Sequence, residues 1–106
     1  MVRFGLAINS GKLLQPATVQ SLQTPQRLRS GQETPYGLGW DLYNADVAGE
    51  QRRVVGHDGE LMGGLTSSFM IFPGDGVVIA VASNTAFGDT HAIGVKIAQA
   101  FADGRK

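Results

Sequence analysis

Leu65-Thr66-Ser67-Ser68-Phe69-Met70-Ile71-Phe72, then Pro73-Gly74-Asp75-Gly76, then Val77-Val78-Ile79-Ala80-Val81-Ala82-Ser83 reads as strand, four-residue loop, strand, and this stretch decides the fold. Both apolar runs are rich in β-branched and large apolar side chains that suit a pleated surface. The proline, glycines and aspartate between them are the residues that tight turns use. An antiparallel hairpin follows. Its second strand, Val77–Ala82, is apolar on both faces, so the sheet needs cover on both sides. At ~25 cal/mol per Å² of apolar surface, a wet face there would cost several kcal/mol.

Upstream, Arg52–His57 reads as a strand and Asn44–Gly49 as a turn. Tyr36–Tyr43 alternates Tyr36, Leu38, Trp40 and Leu42 against Gly37, Gly39, Asp41 and Tyr43, which predicts a strand with one bulky, inward face. Gly63-Gly64 either allows close backbone approach or starts the third strand. Downstream, Asp89 or Thr90 caps a helix that runs to about Ala102, with Ile93, Ile97, Ala100 and Phe101 on one stripe. Near the start, Val2–Asn9 carries Phe4, Ala7 and Ile8 at helical spacing and stops at Ser10-Gly11. Its opening at Met1-Val2, with no capping residue before it, reads as a helix cut into. Pro16 suits the first turn of a second helix, to about Gln23, which Thr24-Pro25 ends. Arg27–Pro35 is a polar loop.

The predicted architecture is α+β: an antiparallel β-meander of about four strands over 36–84, a C-terminal helix over 89–102 packed on it, and two short N-terminal helices with a loop over 1–35. Two short helices are thin cover for the second sheet face. A missing partner is therefore expected: more chain, another subunit or a different protein.

Composition bounds the function. A chain of 106 residues is one domain or a piece of one, and 42% hydrophobic with 17% charged residues is the balance of a globular protein. Nine basic and nine acidic residues cancel, so no net field recruits nucleic acid or an anionic membrane. Arg27/Arg29 and Arg52/Arg53 read as solvated turns rather than phosphate sites. No apolar run approaches the ~20 residues of a membrane span. Met1-Val2-Arg3-Phe4 leaves no room for a signal peptide. There is no cysteine, which removes disulfide and thiolate chemistry.

The chemistry-bearing feature is His57-Asp58-Gly59, set at the start of the apolar, glycine-punctuated stretch. Taken with Met1–Phe4, Gly11-Lys12-Leu13-Leu14, Tyr36-Gly37-Leu38-Gly39-Trp40, Gly56, Pro73 and Ala82-Ser83-Asn84, it resembles the C-terminal third of the class C β-lactamase-like, penicillin-binding-protein-like serine hydrolases. That family includes D-alanyl-D-alanine carboxypeptidases, D-aminopeptidases and esterases. The resemblance covers nearly the whole chain and rests on order and spacing.

The resemblance implies an active site between a sheet region and a helical region, built from Ser-x-x-Lys, Tyr-x-Asn and Lys/His-x-Gly. The last signature alone is present: no serine here has lysine three places later, and neither tyrosine has asparagine two places later. The family places the other two upstream. The chain is thus expected to be a C-terminal fragment, inactive by itself. Within the resemblance His57 is the catalytic residue, binding a substrate carboxylate or tuning the proton relay. Gly59 lets substrate lie against the strand, and the backbone N–H of Glu60 is half of an oxyanion hole. Asp58, the variable middle position, is the weakest substrate-binding candidate, because it usually points off the cleft. No cofactor is implied.

Other readings are bland. Tyr36–Trp40 is core packing rather than a carbohydrate platform. His91 stands 34 positions from His57 with no ligand spacing between them, so no metal is expected. Gly37-x-Gly39 and Gly74-x-Gly76 lack the strand–turn–helix setting of a dinucleotide site. Two function classes remain: the C-terminal part of an acyl-enzyme hydrolase, or a non-catalytic sheet module that self-associates or binds a partner through its open face. A homo-oligomer through the exposed sheet face is expected in either case.

Overall fold

Three successive hairpins build the sheet. In the computed structural model, which describes residues 1–104, strands β1 (Asp41–Val47), β2 (Glu50–Leu61), β3 (Leu65–Phe72) and β4 (Val77–Ser83) lie in the order β1-β2-β3-β4, each antiparallel to the next. Helices α1 (Val2–Asn9) and α2 (Pro16–Leu22) precede the sheet, and α3 (Thr90–Gly104) follows it. The α+β meander predicted from the sequence is the observed fold.

Alternation along the strands sends side chains to two cores. Ala45, Val47, Val54, Met70, Phe72 and Ile79 pack beneath Ala98 of α3. Val55, Phe69 and Ile71 pack with Trp40 and with Ile8 of α1. Val54 and Val55, adjacent in sequence, are both 0% exposed, so β2 is buried on both faces at that point. Local chemistry sets the helix ends. Pro16 stands in the first turn of α2, and Asp89 caps α3 by accepting the Ala92 N–H at 2.9 Å.

Three expectations fail here. Tyr36–Trp40 is not strand. Gly39 takes φ +84°, and the N–H groups of Gly37 and Leu38 go to the carbonyls of Trp40 and Leu22 (both 2.8 Å) instead of to a ladder. The inward face breaks up accordingly: Trp40 is 8% exposed, Leu38 55%. The turn expected over Asn44–Gly49 shrinks to its tip, because Val47 pairs with Glu50. Arg52 and Arg53 are also not in a solvated turn. Both lie in β2, where Arg52 pairs with Asp75 and, at 2.9 Å, with Glu50, while Arg53 donates to the Gln23 carbonyl at 2.8 Å.

The β1–β2 tip is Ala48-Gly49, with φ of 56° and 83°, and the Gly49 N–H is held by Asp46 Oδ1 at 2.9 Å. Positive φ at both positions is the turn that suits right-twisted strands, and alanine is a poor residue for the first of them. Ala48→Asn is expected to raise unfolding free energy by about 1 kcal/mol in urea denaturation, with the slope unchanged.

Candidate active site

Strand β2 outlasts β1. Its last partner there is Gly56, opposite Asp41, whereas its pairing with β3 continues to Leu61, opposite Leu65. From His57 to Leu61, therefore, β2 is held along one edge, and no strand of the described residues pairs with the other. Its burial changes at the same place, from buried at Val54–Gly56 to exposed from His57 onward.

The side chains of this open segment alternate. His57, Gly59 and Leu61 share the face of Val55, the face that carries α1 and α2. Across the sheet the register places His57, Phe69 and Ala80 in one row and Gly59, Ser67 and Ala82 in the next. Helix α1 covers only part of this face: Gly5 sits so close that an added Cβ would lie 2.8 Å from Phe69 and 2.5 Å from Val78. Gly59, Ser67, Ala80 and Ala82 stay exposed. They form a floor of small residues at the foot of an aromatic group, Phe4, Trp40 and Phe69, with ring centroids 6.2–6.5 Å apart.

His57 stands at the edge of this floor with its ring orientation set. Its Nδ1 lies 2.6 Å from the backbone oxygen of Asp58. A carbonyl oxygen only accepts, so Nδ1 is the donor and Nε2 keeps the lone pair of the neutral ring. Tyr36 meets the imidazole edge-on, at 6.0 Å and 77°. The loop that disrupts the expected first strand is what brings Tyr36 here. A neutral histidine with its outer nitrogen unprotonated is a proton acceptor available to whatever lies on the floor.

Asp58 belongs to the other face. Its Oδ1 accepts from the hydroxyl of Ser68, which is 2% exposed, and its Oδ2 lies 3.3 Å from His91 Nδ1. That nitrogen is shut off from solvent and off the line of a good hydrogen bond. The His91 ring rests 5.4 Å from Tyr43. Burial first, then the charges of Asp58 and Asp41, pushes the Tyr43 phenol up to about 12 from 10.0. The sequence hid this cluster: His91 reaches Asp58 only because α3 folds back onto the sheet. Ser67 and Ser68 likewise carried no motif, and Tyr36, part of the family pattern, was expected in core packing rather than beside His57. Met62-Gly63-Gly64 turns the chain from β2 into β3, and Ala86 N lies 3.2 Å from where a Gly64 Cβ would stand, so the close-approach reading holds for Gly64, whereas a Gly63 Cβ would meet nothing within 4 Å.

His57, Gly59 and Glu60 line none of three hollows on the surface of the described residues. The smallest, about 160 Å³, lies between Phe72 and Phe101; another lies between α1 and α2; the third lies beside α1 at Leu6 and Leu13. The surface at His57 is a wall rather than a pocket. Among the described residues no three His, Asp or Glu side chains gather as a metal-ligand set, and no helix is long and apolar enough to cross a membrane.

A family model described as Beta-lactamase matches residues 1–103. No curated protein and no solved structure matches the chain.

In a Tyr36→Phe background, ultraviolet titration is expected to show Tyr43 ionising near 12. The unfolded phenol ionises near its ordinary value of 10.0, so the folded state holds the extra proton in between. The stability from this group is complete below pH 10 and falls as pH rises towards 12. A urea midpoint that declines over that window checks the sign.

Proposed function

The chain belongs to the β-lactamase family, and from that premise we propose that it is the C-terminal part of a penicillin-binding-protein-like serine hydrolase, supplying one wall of the active site. The observation that carries this reading is His57, with Nδ1 committed to Asp58 and Nε2 left over, beside a floor of small residues on a singly paired strand. A carbonyl substrate lies flat on Gly59, where any larger residue would project into it. The N–H of Glu60 donates to the oxygen that becomes negative on attack. The nucleophile comes from a segment carrying Ser-x-x-Lys, which these 106 residues do not contain. Its serine hydroxyl adds to the carbonyl carbon, its proton passes into the relay that includes His57 Nε2, and the leaving group departs protonated. Water then releases the acyl group by the same route. The substrate is a small ester, amide or β-lactam, and no cofactor takes part.

A wall without its nucleophile predicts an inactive chain. The chain alone is expected to turn over neither nitrocefin nor p-nitrophenyl acetate above background, and to form no adduct with a serine-directed probe by mass spectrometry. Co-expression with a family segment that bears the two absent signatures is expected to restore turnover. His57→Ala in the restored protein should lower kcat/KM by about 10²–10⁴. Gly59→Val should abolish turnover while the fold survives, since an added Cβ there meets only the Ser67 hydroxyl, at 2.8 Å. Saturable hydrolysis by the unaided chain, lost in His57→Ala, would overturn this reading.

A second reading, self-association through the same face, is favoured by exposed apolar residues beside it: Phe4, Leu38, Leu61, Leu65 and Ala82. Sedimentation is expected to show a concentration-dependent dimer or larger species. A monomer at high concentration that binds no apolar dye excludes it.

A further inference from the structure

We propose that Asp58 is the positioning residue of this site, pinned on both faces of the sheet at once: its carboxylate is anchored under α3 by Ser68 and His91, and its backbone carbonyl holds the His57 ring on the open face. Successive residues of a strand point to opposite faces, so the side chain of Asp58 and the ring of His57 cannot meet directly. The peptide between them joins the two sides. His57 Nδ1 bonds the oxygen of the next peptide, the Asp58 carbonyl, at 2.6 Å, while the carboxylate two bonds from the Asp58 Cα takes the Ser68 hydroxyl and faces His91 Nδ1 at 3.3 Å.

The anchoring side is built to hold. Ser68 is buried, sits directly opposite Asp58 in the β2–β3 register, and has its hydroxyl committed to the carboxylate. His91 Nδ1 is closed to solvent, with Asp58 Oδ2 before it. A lone pair there would face a negative oxygen, so Nδ1 carries the hydrogen. The groups around this carboxylate come from three elements: Ser68 from β3, His91 from α3, and Tyr43 from β1, whose ring meets His91 at a tilt and feels the charges of Asp58 and Asp41.

The holding side has little else. His57 is exposed, its strand has no partner beyond Gly56 on that edge, and its other ring neighbour is the edge of Tyr36. Release of the Asp58 carboxylate leaves this backbone held by the β3 ladder alone, and the bond that fixes the His57 tautomer loses its second support. His91, on a different element and the opposite face, thereby controls which nitrogen of His57 is basic.

This assignment takes His57 as the base proposed above, but its test reads the ring and not the reaction. Long-range nitrogen-15 NMR of the full chain, at a pH where imidazoles are neutral, shows which ring nitrogen carries hydrogen. The chain has two histidines, and the His57 signals are identified by their loss in His57→Gln. We expect His57 to carry its hydrogen on Nδ1 in the parent chain and in Asp58→Asn, which keeps an acceptor for Ser68. In Asp58→Ala we expect loss of that form, in favour of the Nε2–H form that an unconstrained imidazole prefers. His91→Ala, a change on the helix surface, is expected to give the same loss in smaller measure, and it decides the matter should Asp58→Ala not fold. A residue that only stabilises the sheet would shift unfolding midpoints without moving the tautomer. Retention of Nδ1–H at His57 in folded Asp58→Ala and His91→Ala, or its absence from the parent chain, overturns the proposal. Restored hydrolysis without this tautomer shift removes the positioning role and leaves the hydrolase reading. The shift without restored hydrolysis does the reverse.

Discussion

The unequal lengths of β1 and β2 govern the rest of this structure. Up to Gly56, β2 has a strand on each side and a core on each face, with Val54 and Val55 wholly buried. Beyond it one ladder and both covers are lost within a residue or two, while the β3 ladder continues unbroken to Leu61. The result is a backbone that stays in register without being occupied. An open edge is ordinarily a hazard, because its unpaired N–H and C=O groups invite other strands. Here it falls on the one segment that carries an imidazole, a bare glycine and a neighbouring floor of small side chains, which gives a reason for leaving it open.

The two sides of that segment divide the labour. Toward α1 the side chains are small and the surface is bare; toward α3 they are polar and tied together. A strand's two-residue period makes this division possible with no separate scaffold, since neighbours in sequence face opposite environments. His57 and Asp58 are one bond pattern apart and chemically unlike in their surroundings: the first is exposed and held through a single hydrogen bond, the second is caught between a buried hydroxyl and a ring on a returning helix.

Much of the fold was legible because its elements announce themselves locally. The Pro73–Gly76 turn, the proline that opens α2, the Asp89 cap and the amphipathic stripe of α3 each act within a few residues. The family was legible for a different reason, the order and spacing of short signatures along nearly the whole chain, and the match over residues 1–103 agrees with it. What stayed hidden was non-local. Glycines at every second place in Tyr36–Trp40 imitate a strand's alternation, whereas Gly39 at positive φ turns the chain and the backbone bonds to α2. Ala48 is a poor turn residue, so the sequence spread the first turn over Asn44–Gly49, and only the strand register narrows it to Ala48-Gly49. The meeting of Asp58 with His91 needed the topology itself. The position of His57 could be read from sequence; the tautomer of its ring could not.

The sheet order β1-β2-β3-β4 has a kinetic side. Every strand pairs with the one made just before it, across connections of two to four residues, so loop-closure entropy stays small at each step. Topologies of low contact order assemble quickly, and this one needs no distant segment to nucleate any of its ladders. A sheet that zips up hairpin by hairpin can stand complete without contributions from distant segments of chain.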